Sequence, residues 1–235
     1  MRVLIFGTCY AAKPEQFQLV QQWMHLHRDI NPGVDLLLVD SSCPYHAAIE
    51  DLVVSADGIQ MINFPNNIGH LGRSGRDGWG RAFCEGLIWA VHQGYDYAVH
   101  IEGDSLFRHP VIKFCEFMQK HDLRSFVCGV NGTKFKEFEW VETGIMFLQV
   151  AYMRDSNFVE RYDWQDGASK KYPHTPEAVI YEMLAEDGAL SVVPIKVMRD
   201  DRRVLTKDNV GGYDWITHTT PEIFATFVSN SMVNA

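Results

Sequence analysis

Apolar and polar positions recur along this chain with two periods, and the switches between them predict its elements. Val3–Phe6 is a short β-branched and aromatic run closed by Gly7, the pattern of a buried strand. Pro14 opens a stretch in which Phe17, Val20, Trp23, Met24 and His27 recur at helical spacing. It predicts a helix that Asn31-Pro32-Gly33 stops. Leu36–Val39, held between Asp35 and Asp40, is an unbroken apolar run and predicts a strand covered on both faces. The same reading gives a helix over 44–55, a strand over 60–64, a helix from about Asp77 to His92 and a strand over Tyr97–Ile101. Beyond these it gives a helix over 110–121, strands over 126–131 and 144–150, and a helix over 151–162. A further helix runs from about Pro176 to Ala185 and a strand over 191–194, after which the pattern is less regular.

Strands alternating with helices predict an α/β fold, with a mainly parallel, doubly wound sheet and helices on both faces. A chain of 235 residues has room for one large domain or two small ones. No repeat, low-complexity stretch or linker divides it, so a single domain over 1–235 is expected.

Charge narrows the partners. The formal net charge is −9, from 30 acidic residues against 21 Lys and Arg, and no dense basic stripe is present. That argues against nucleic acid, whose phosphates are met by a basic face. An acidic chain that handles a phosphate ligand needs local help, such as a bound cation. The five cysteines, Cys9, Cys43, Cys84, Cys115 and Cys128, lack Cys-x-x-Cys spacing and read as free thiols of a reducing compartment. Met1–Ala12 has too short an apolar run for a signal peptide, and no stretch is apolar enough to span a bilayer. A cytoplasmic chain without an integral membrane segment, or a soluble piece of something larger, is expected.

In an open α/β sheet the ligand crevice lies beyond the carboxyl ends of the strands. Glu102-Gly103-Asp104 stands there, after the strand Tyr97–Ile101. A glycine between two carboxylates lets the backbone turn so that both converge, and hard cations prefer oxygen ligands. The triplet therefore suits Mg2+ or Mn2+ bridging a diphosphate, although it also reads as an acidic surface turn. Upstream, segment 65–82 gathers Gly69, Gly72, Gly75, Gly78 and Gly80 with Arg73, Arg76 and Arg81. Its glycines let backbone approach phosphates, and guanidinium forks match phosphate geometry. Solvated arginines on a surface loop are the plainer alternative.

Taken in order, Val39-Asp40-Ser41-Ser42, Phe64-Pro-Asn-Asn67-Ile-Gly69-His-Leu-Gly-Arg73, then Asp77, Gly78 and Ala82, then Tyr97–Asp104 resemble the core of GT-A glycosyltransferases, family 2 in particular. The resemblance covers roughly residues 1–195. It rests on order and spacing, since each motif alone is unspecific. It implies metal-dependent transfer of a sugar from a nucleoside-diphosphate sugar to an acceptor hydroxyl. UDP is the default base carrier and GDP the alternative; the acceptor is a glycan, a lipid-linked molecule or a protein. Residues 1–108 would form the nucleotide-sugar half and 109–235 the acceptor half, the irregular C-terminal third serving as a lid or acceptor-side region.

Residue by residue, the resemblance makes Asp104 the direct metal ligand. Glu102 stands at the first position of the family's Asp-x-Asp motif, where this chain departs from Asp, and would contact the ribose or reach the metal through water. Gly7 and Thr8 would meet the nucleotide at the end of the first strand, and Asp40 would read the base. Asn67, Gly69, Arg73, Arg76 and Asp77 would bind the nucleotide sugar, the arginines at its phosphates and Asp77 in the nucleotide pocket, and His218 would be a C-terminal metal ligand. Glu177 occupies the place of the base that deprotonates the acceptor, with Pro176 where the family has Glu; inversion at the anomeric carbon follows from such a base. Trp140 and Glu142 would shape the acceptor pocket.

Plainer roles stand beside these. Asp40 and Asp77 suit turn or helix caps, Glu177 suits the helix dipole, and His218 suits a structural histidine. Glu142 and Asp187 are alternative bases, and His100 reads as a core or supporting residue. Two other functions compete: a sugar-1-phosphate nucleotidyltransferase, and a non-catalytic nucleotide- or sugar-binding module. The first strand's Gly7-Thr-Cys-Tyr-Ala-Ala-Lys13-Pro14 lacks the arginine and glycine richness of a nucleotidyltransferase loop.

Overall fold

The computed structural model describes residues 1–56, 58–68, 76–128, 141–164, 175–193, 206–217 and 220–233, with backbone alone at 76–77 and 231–233. Its strands are β1 (Val3–Cys9), β2 (Asp35–Asp40), β3 (Ile59–Asn63), β4 (Tyr97–Ile101), β5 (Ser105–Phe107), β6 (Ser125–Cys128), β7 (Glu142–Gln149), β8 (Val192–Val193) and β9 (Trp215–Thr217). The helices are α1 (Pro14–Ile30), α2 (His46–Val54), α3 (Arg76–His92), α4 (Val111–Lys120), α5 (Val150–Asp155), α6 (Phe158–Tyr162), α7 (Pro176–Glu186) and α8 (Pro221–Val233), with a 3-10 turn at Val210–Gly212.

Seven strands form one sheet in the order β3-β2-β1-β4-β7-β6-β8. β1 pairs in parallel with β2 and β4, β2 with β3, and β6 with β8. β7 runs against both of its neighbours. The α/β fold with a mainly parallel, doubly wound sheet is therefore as expected. Side-chain alternation builds a core on each face. Val3, Ile5, Leu36, Leu38, Val99 and Phe147 pack with α1, α4 and α8 on one side. Leu4, Phe6, Leu37, Val39, Met146 and Leu148 pack with α3, α6 and α7 on the other. Burial of both faces explains the unbroken apolar run Leu36–Val39 of β2.

Pro14 starts α1 with its φ preset for a helix, and Asn31 ends it. Asn31 then bridges elements: its amide donates to the His27 carbonyl at 3.0 Å, and its side-chain oxygen accepts from the Val111 N–H, at the start of α4, at 2.8 Å. Two expectations need correction. The helix expected over 151–162 is two short ones, because Asn157 takes a left-handed φ of 50° and breaks it. The C-terminal third is also more regular than its sequence suggests: β9 pairs antiparallel with β5, and α8 packs on α1. Strand β9, from the second half of the chain, thus joins β5, from the first.

Candidate active site

The carboxyl ends of β1 and β4, with α1 and the start of α3, enclose a cleft of about 620 Å3, a size typical of small-ligand sites. Thr8, Cys9 and Tyr10 form one wall, with Gln16, Leu19 and Val20 of α1 beside them. Ser41, Asn67, Gly78, Trp79, Glu102, Gly103 and Asp104 complete the lining.

The acidic turn is drawn against β1. The Gly103 N–H donates to the Thr8 carbonyl at 2.9 Å, and the Ser105 N–H closes the turn on the Glu102 carbonyl at 2.8 Å. Gly103 does not take a positive φ. A Cβ there would lie 2.8 Å from Cys9 Cβ and 3.1 Å from the Thr8 oxygen. The glycine is needed for close approach of two chains, not for an unusual turn.

Glu102 is partly buried, and its carboxylate accepts the Trp79 indole N–H at 2.6 Å. Desolvation pushes its pKa well up, and the charges of Asp104, Glu142 and Glu177 push the same way. Trp79 opposes them by stabilising the anion. Glu177 and Glu142 thus both bear electrostatically on the turn that carries Asp104. Glu177 lies in the first turn of α7, whose start meets β7 where the Val141 N–H approaches the Glu177 carbonyl at 3.5 Å. Glu142 is buried at the first position of β7, where the β6–β7 register slips: Val127 opposes Met146, yet Cys128 opposes Glu142. Such irregularities re-aim side chains next to sites.

Trp79 stacks on Phe83 (4.7 Å between centroids, 15°) and meets the His100 ring edge-on. His100 is fully buried, and burial holds its pKa at about 3, so the imidazole is neutral. Its Nδ1 faces the Thr143 carbonyl at 2.8 Å, which places the proton there and leaves Nε2 to accept from the Thr8 hydroxyl at 3.4 Å. His100 is thus a supporting core residue that fixes Thr8.

Other expected site residues have different surroundings. Gly7 makes room for α1: a Cβ would meet the Trp23 ring at 2.8 Å, while the Trp23 indole donates to the Ile101 carbonyl at 3.0 Å. Asp40 is fully buried and accepts the Cys43 N–H at 3.2 Å on each oxygen, which is turn-capping geometry. Burial raises its pKa, and the Cys43 contacts pull it back. Its neighbour Ser41, not Asp40, lines the cleft. Asp187 ends α7 and is bound by Arg161 at 2.7 Å and the Tyr152 hydroxyl at 2.6 Å, which hold its pKa low. At 1.5 Å per residue, α7 separates it from Glu177 by roughly 15 Å. Asp187 thus stands at the opposite end of α7 from Glu177.

Asn67 lines the cleft. Gly69, Arg73, Trp140 and His218 lie outside the described residues, and for Arg76 and Asp77 only their place in the first turn of α3 is described. The sequence reading overlooked Trp79, Tyr10 and Thr217. Trp79 had one signal, a tryptophan between Gly78 and Gly80: a Cβ at Gly80 would meet the Tyr162 ring at 2.8 Å. Thr217 had none, since its contact with Asp104 crosses more than a hundred residues.

Among the described residues no group of three or more His, Cys, Asp and Glu side chains could hold a metal ion. An all-protein cage is therefore not what these residues offer. Asp104 with Glu102 suits a hard cation that takes its other ligands from diphosphate oxygens and water. The five cysteines are buried and form no disulfide, and no described helix is long and apolar enough to cross a membrane.

No protein-family model and no curated protein sequence matches the chain. Solved structures do. S. aureus TarS 1-349 in complex with UDP aligns over 100% of this chain and 66% of its own, at 14% identity and a TM-score of 0.55. GlyE, a glycosyltransferase of Streptococcus pneumoniae TIGR4, aligns over 97% and 60%, at 8% identity and a TM-score of 0.58. The bifunctional glycosyltransferase WbbM aligns over 98% and 49%, at 10% identity and a TM-score of 0.57. The fold is thus that of the GT-A-like glycosyltransferases. This chain spans two thirds or less of each of these three.

Proposed function

We propose that this chain is a glycosyltransferase that moves a sugar from a nucleoside-diphosphate sugar, UDP favoured, to an acceptor hydroxyl, with Mn2+ or Mg2+ and with inversion. The observation that carries the reading is the acidic turn itself. Glu102 and Asp104 line a ligand-sized cleft at the strand ends, and Glu142 and Glu177, from two other elements, bear on the same turn. A glycosyltransferase fold and a UDP complex of TarS support it.

In this reading Asp104 is the protein ligand of the cation, with Glu102 beside it and His218 a further candidate. The bound cation would offset the charge that grows on the departing nucleoside diphosphate. Thr8, Cys9 and Tyr10 face the nucleotide side, and Arg73 or Arg76 would share the diphosphate. Glu177 takes the proton of the acceptor hydroxyl; the acceptor oxygen bonds to the anomeric carbon as the bond to phosphate breaks on the opposite face. Glu142 is the second choice for that base.

The test is UDP binding by calorimetry, with and without Mn2+, for the native protein and Asp104→Ala. Binding should depend on metal in the native protein and lose that dependence in the variant, with the melting temperature preserved. Metal dependence unchanged in Asp104→Ala would overturn the assignment. Incubation with UDP-sugar and Mn2+ then separates the functions: a transferase slowly releases sugar and UDP, a nucleotidyltransferase requires pyrophosphate, and a binding module releases nothing.

A further inference from the structure

Asp104 is approached from behind by a strand that enters the chain more than a hundred residues later. Ser105 and Thr217 are register partners in the β5–β9 pair, and both are buried. The Ser105 hydroxyl donates to the Thr217 hydroxyl at 2.8 Å. Thr217, having accepted that hydrogen bond, directs its own hydroxyl proton toward Asp104, whose carbonyl oxygen lies at 3.3 Å and whose Oδ1 lies at 3.5 Å. A hydroxyl has one proton to give, so the two Asp104 oxygens share that of Thr217, the backbone carbonyl being the nearer.

The segment that carries Thr217 is itself fastened down. The Arg108 guanidinium donates to the Gly211 carbonyl at 2.8 Å and lies 4.4 Å over the Phe227 ring. The Gln22 amide of α1 donates to the Pro221 carbonyl at 3.1 Å. The C-terminal segment is thereby held to α1, which walls the cleft, and to β5, which leaves the acidic turn.

We propose that Ser105 and Thr217 form a hydroxyl clasp that holds Asp104 by its backbone carbonyl and its carboxylate together, so that strand β9 belongs to the cation-binding side of the cleft. Both are positioning residues. The inference rests on the reading of Asp104 as the cation's ligand. Partners behind a ligand fix its orientation and basicity, and their loss typically weakens metal binding ~10–100-fold.

The experiment titrates Mn2+ at fixed UDP and records, by calorimetry, the metal concentration at half-maximal UDP binding. Thr217→Val keeps shape and removes the hydroxyl; Thr217→Ser keeps the hydroxyl. The expected result is a midpoint raised by about tenfold or more in Thr217→Val, near the native value in Thr217→Ser, with metal-free melting temperatures alike. A merely structural threonine would lower the melting temperature and leave the midpoint in place, and that result overturns the clasp. Should Thr217→Val not fold, Ser105→Ala removes the donor behind Thr217 and must raise the midpoint too; an unmoved midpoint there is equally fatal. UDP binding by the native protein that ignores Mn2+ would overturn the metal reading itself, and is distinguished by needing no variant.

Discussion

His27 should make this protein measurably less stable below pH 6.5, and replacing it should remove that loss. Its side chain is fully buried in α1 against Trp23, with ring centroids 5.1 Å apart. Among the described residues neither ring nitrogen has a hydrogen-bond partner. Burial therefore disfavours the imidazolium and holds the pKa at about 3, the nearby Ser105 backbone working the other way and losing. In the unfolded chain the ring titrates near ~6.5. Between these values the unfolded state binds a proton that the native state refuses, so stability falls as pH falls through that window. At ~1.4 kcal/mol per pH unit, the loss reaches about 2 kcal/mol by pH 5. His100, also held at about 3, adds a loss of the same sign. Glu102 and Asp40, whose pKa values are raised, oppose both by gaining stability in acid. The isolating measurement is therefore a difference. Urea unfolding of the native protein and His27→Leu at pH 7 and pH 5 should show the native protein losing about 2 kcal/mol more than the variant. At pH 7 the variant should equal or exceed the native protein, since it removes two unpaired buried nitrogens. Parallel pH dependences would refute the reasoning.

Glu177→Gln should lower transfer by ~10²-fold or more while UDP affinity stays near native, checked by turnover and calorimetry on one preparation. If turnover survives, Glu142→Gln should show the loss instead. Gly103→Ala should cost ~1–3 kcal/mol in urea unfolding, because its Cβ would press on Cys9 and the Thr8 carbonyl. The same variant should weaken UDP binding, since the turn it displaces carries both acidic residues; stability and binding both at native values would contradict the close-approach argument.

Much of the architecture is written in local pattern. The β2 run, Asp35–Asp40, and the Pro14-to-Asn31 punctuation of α1 fall where the sequence puts them. These elements carry their own signals, because both faces of the strand are buried and a proline presets the helix start. The breaks came where a single residue or a remote partner decides. Asn157 splits the 151–162 stretch by a left-handed backbone that no periodicity announces. β5 and β9 are three residues each, too short for a two-residue period to register, and exist as strands only because they pair with each other. Helix α8 buries Phe224 and Phe227 against a surface that includes Arg108 and α1. A contact made across that much chain leaves no mark on the local spacing.

The site divides along the same line. Residues that end strands were legible: β1 delivers Thr8 and β4 delivers Glu102 and Asp104 to one cleft because parallel neighbours end on the same side. Whether a strand-end carboxylate faces the ligand or the backbone is decided by the next three residues. Asp40 is followed by Ser41, then Ser42 at a φ of 60°, and the resulting turn offers it the Cys43 N–H, so it caps rather than faces the cleft. Asp104 is followed by a strand whose partner, β9, sends Thr217 behind it. Two aspartates near the carboxyl ends of strands in one sheet thus have different surroundings. Among the donors that distinguish them are a backbone N–H three residues on for Asp40 and a hydroxyl from the far end of the chain for Asp104.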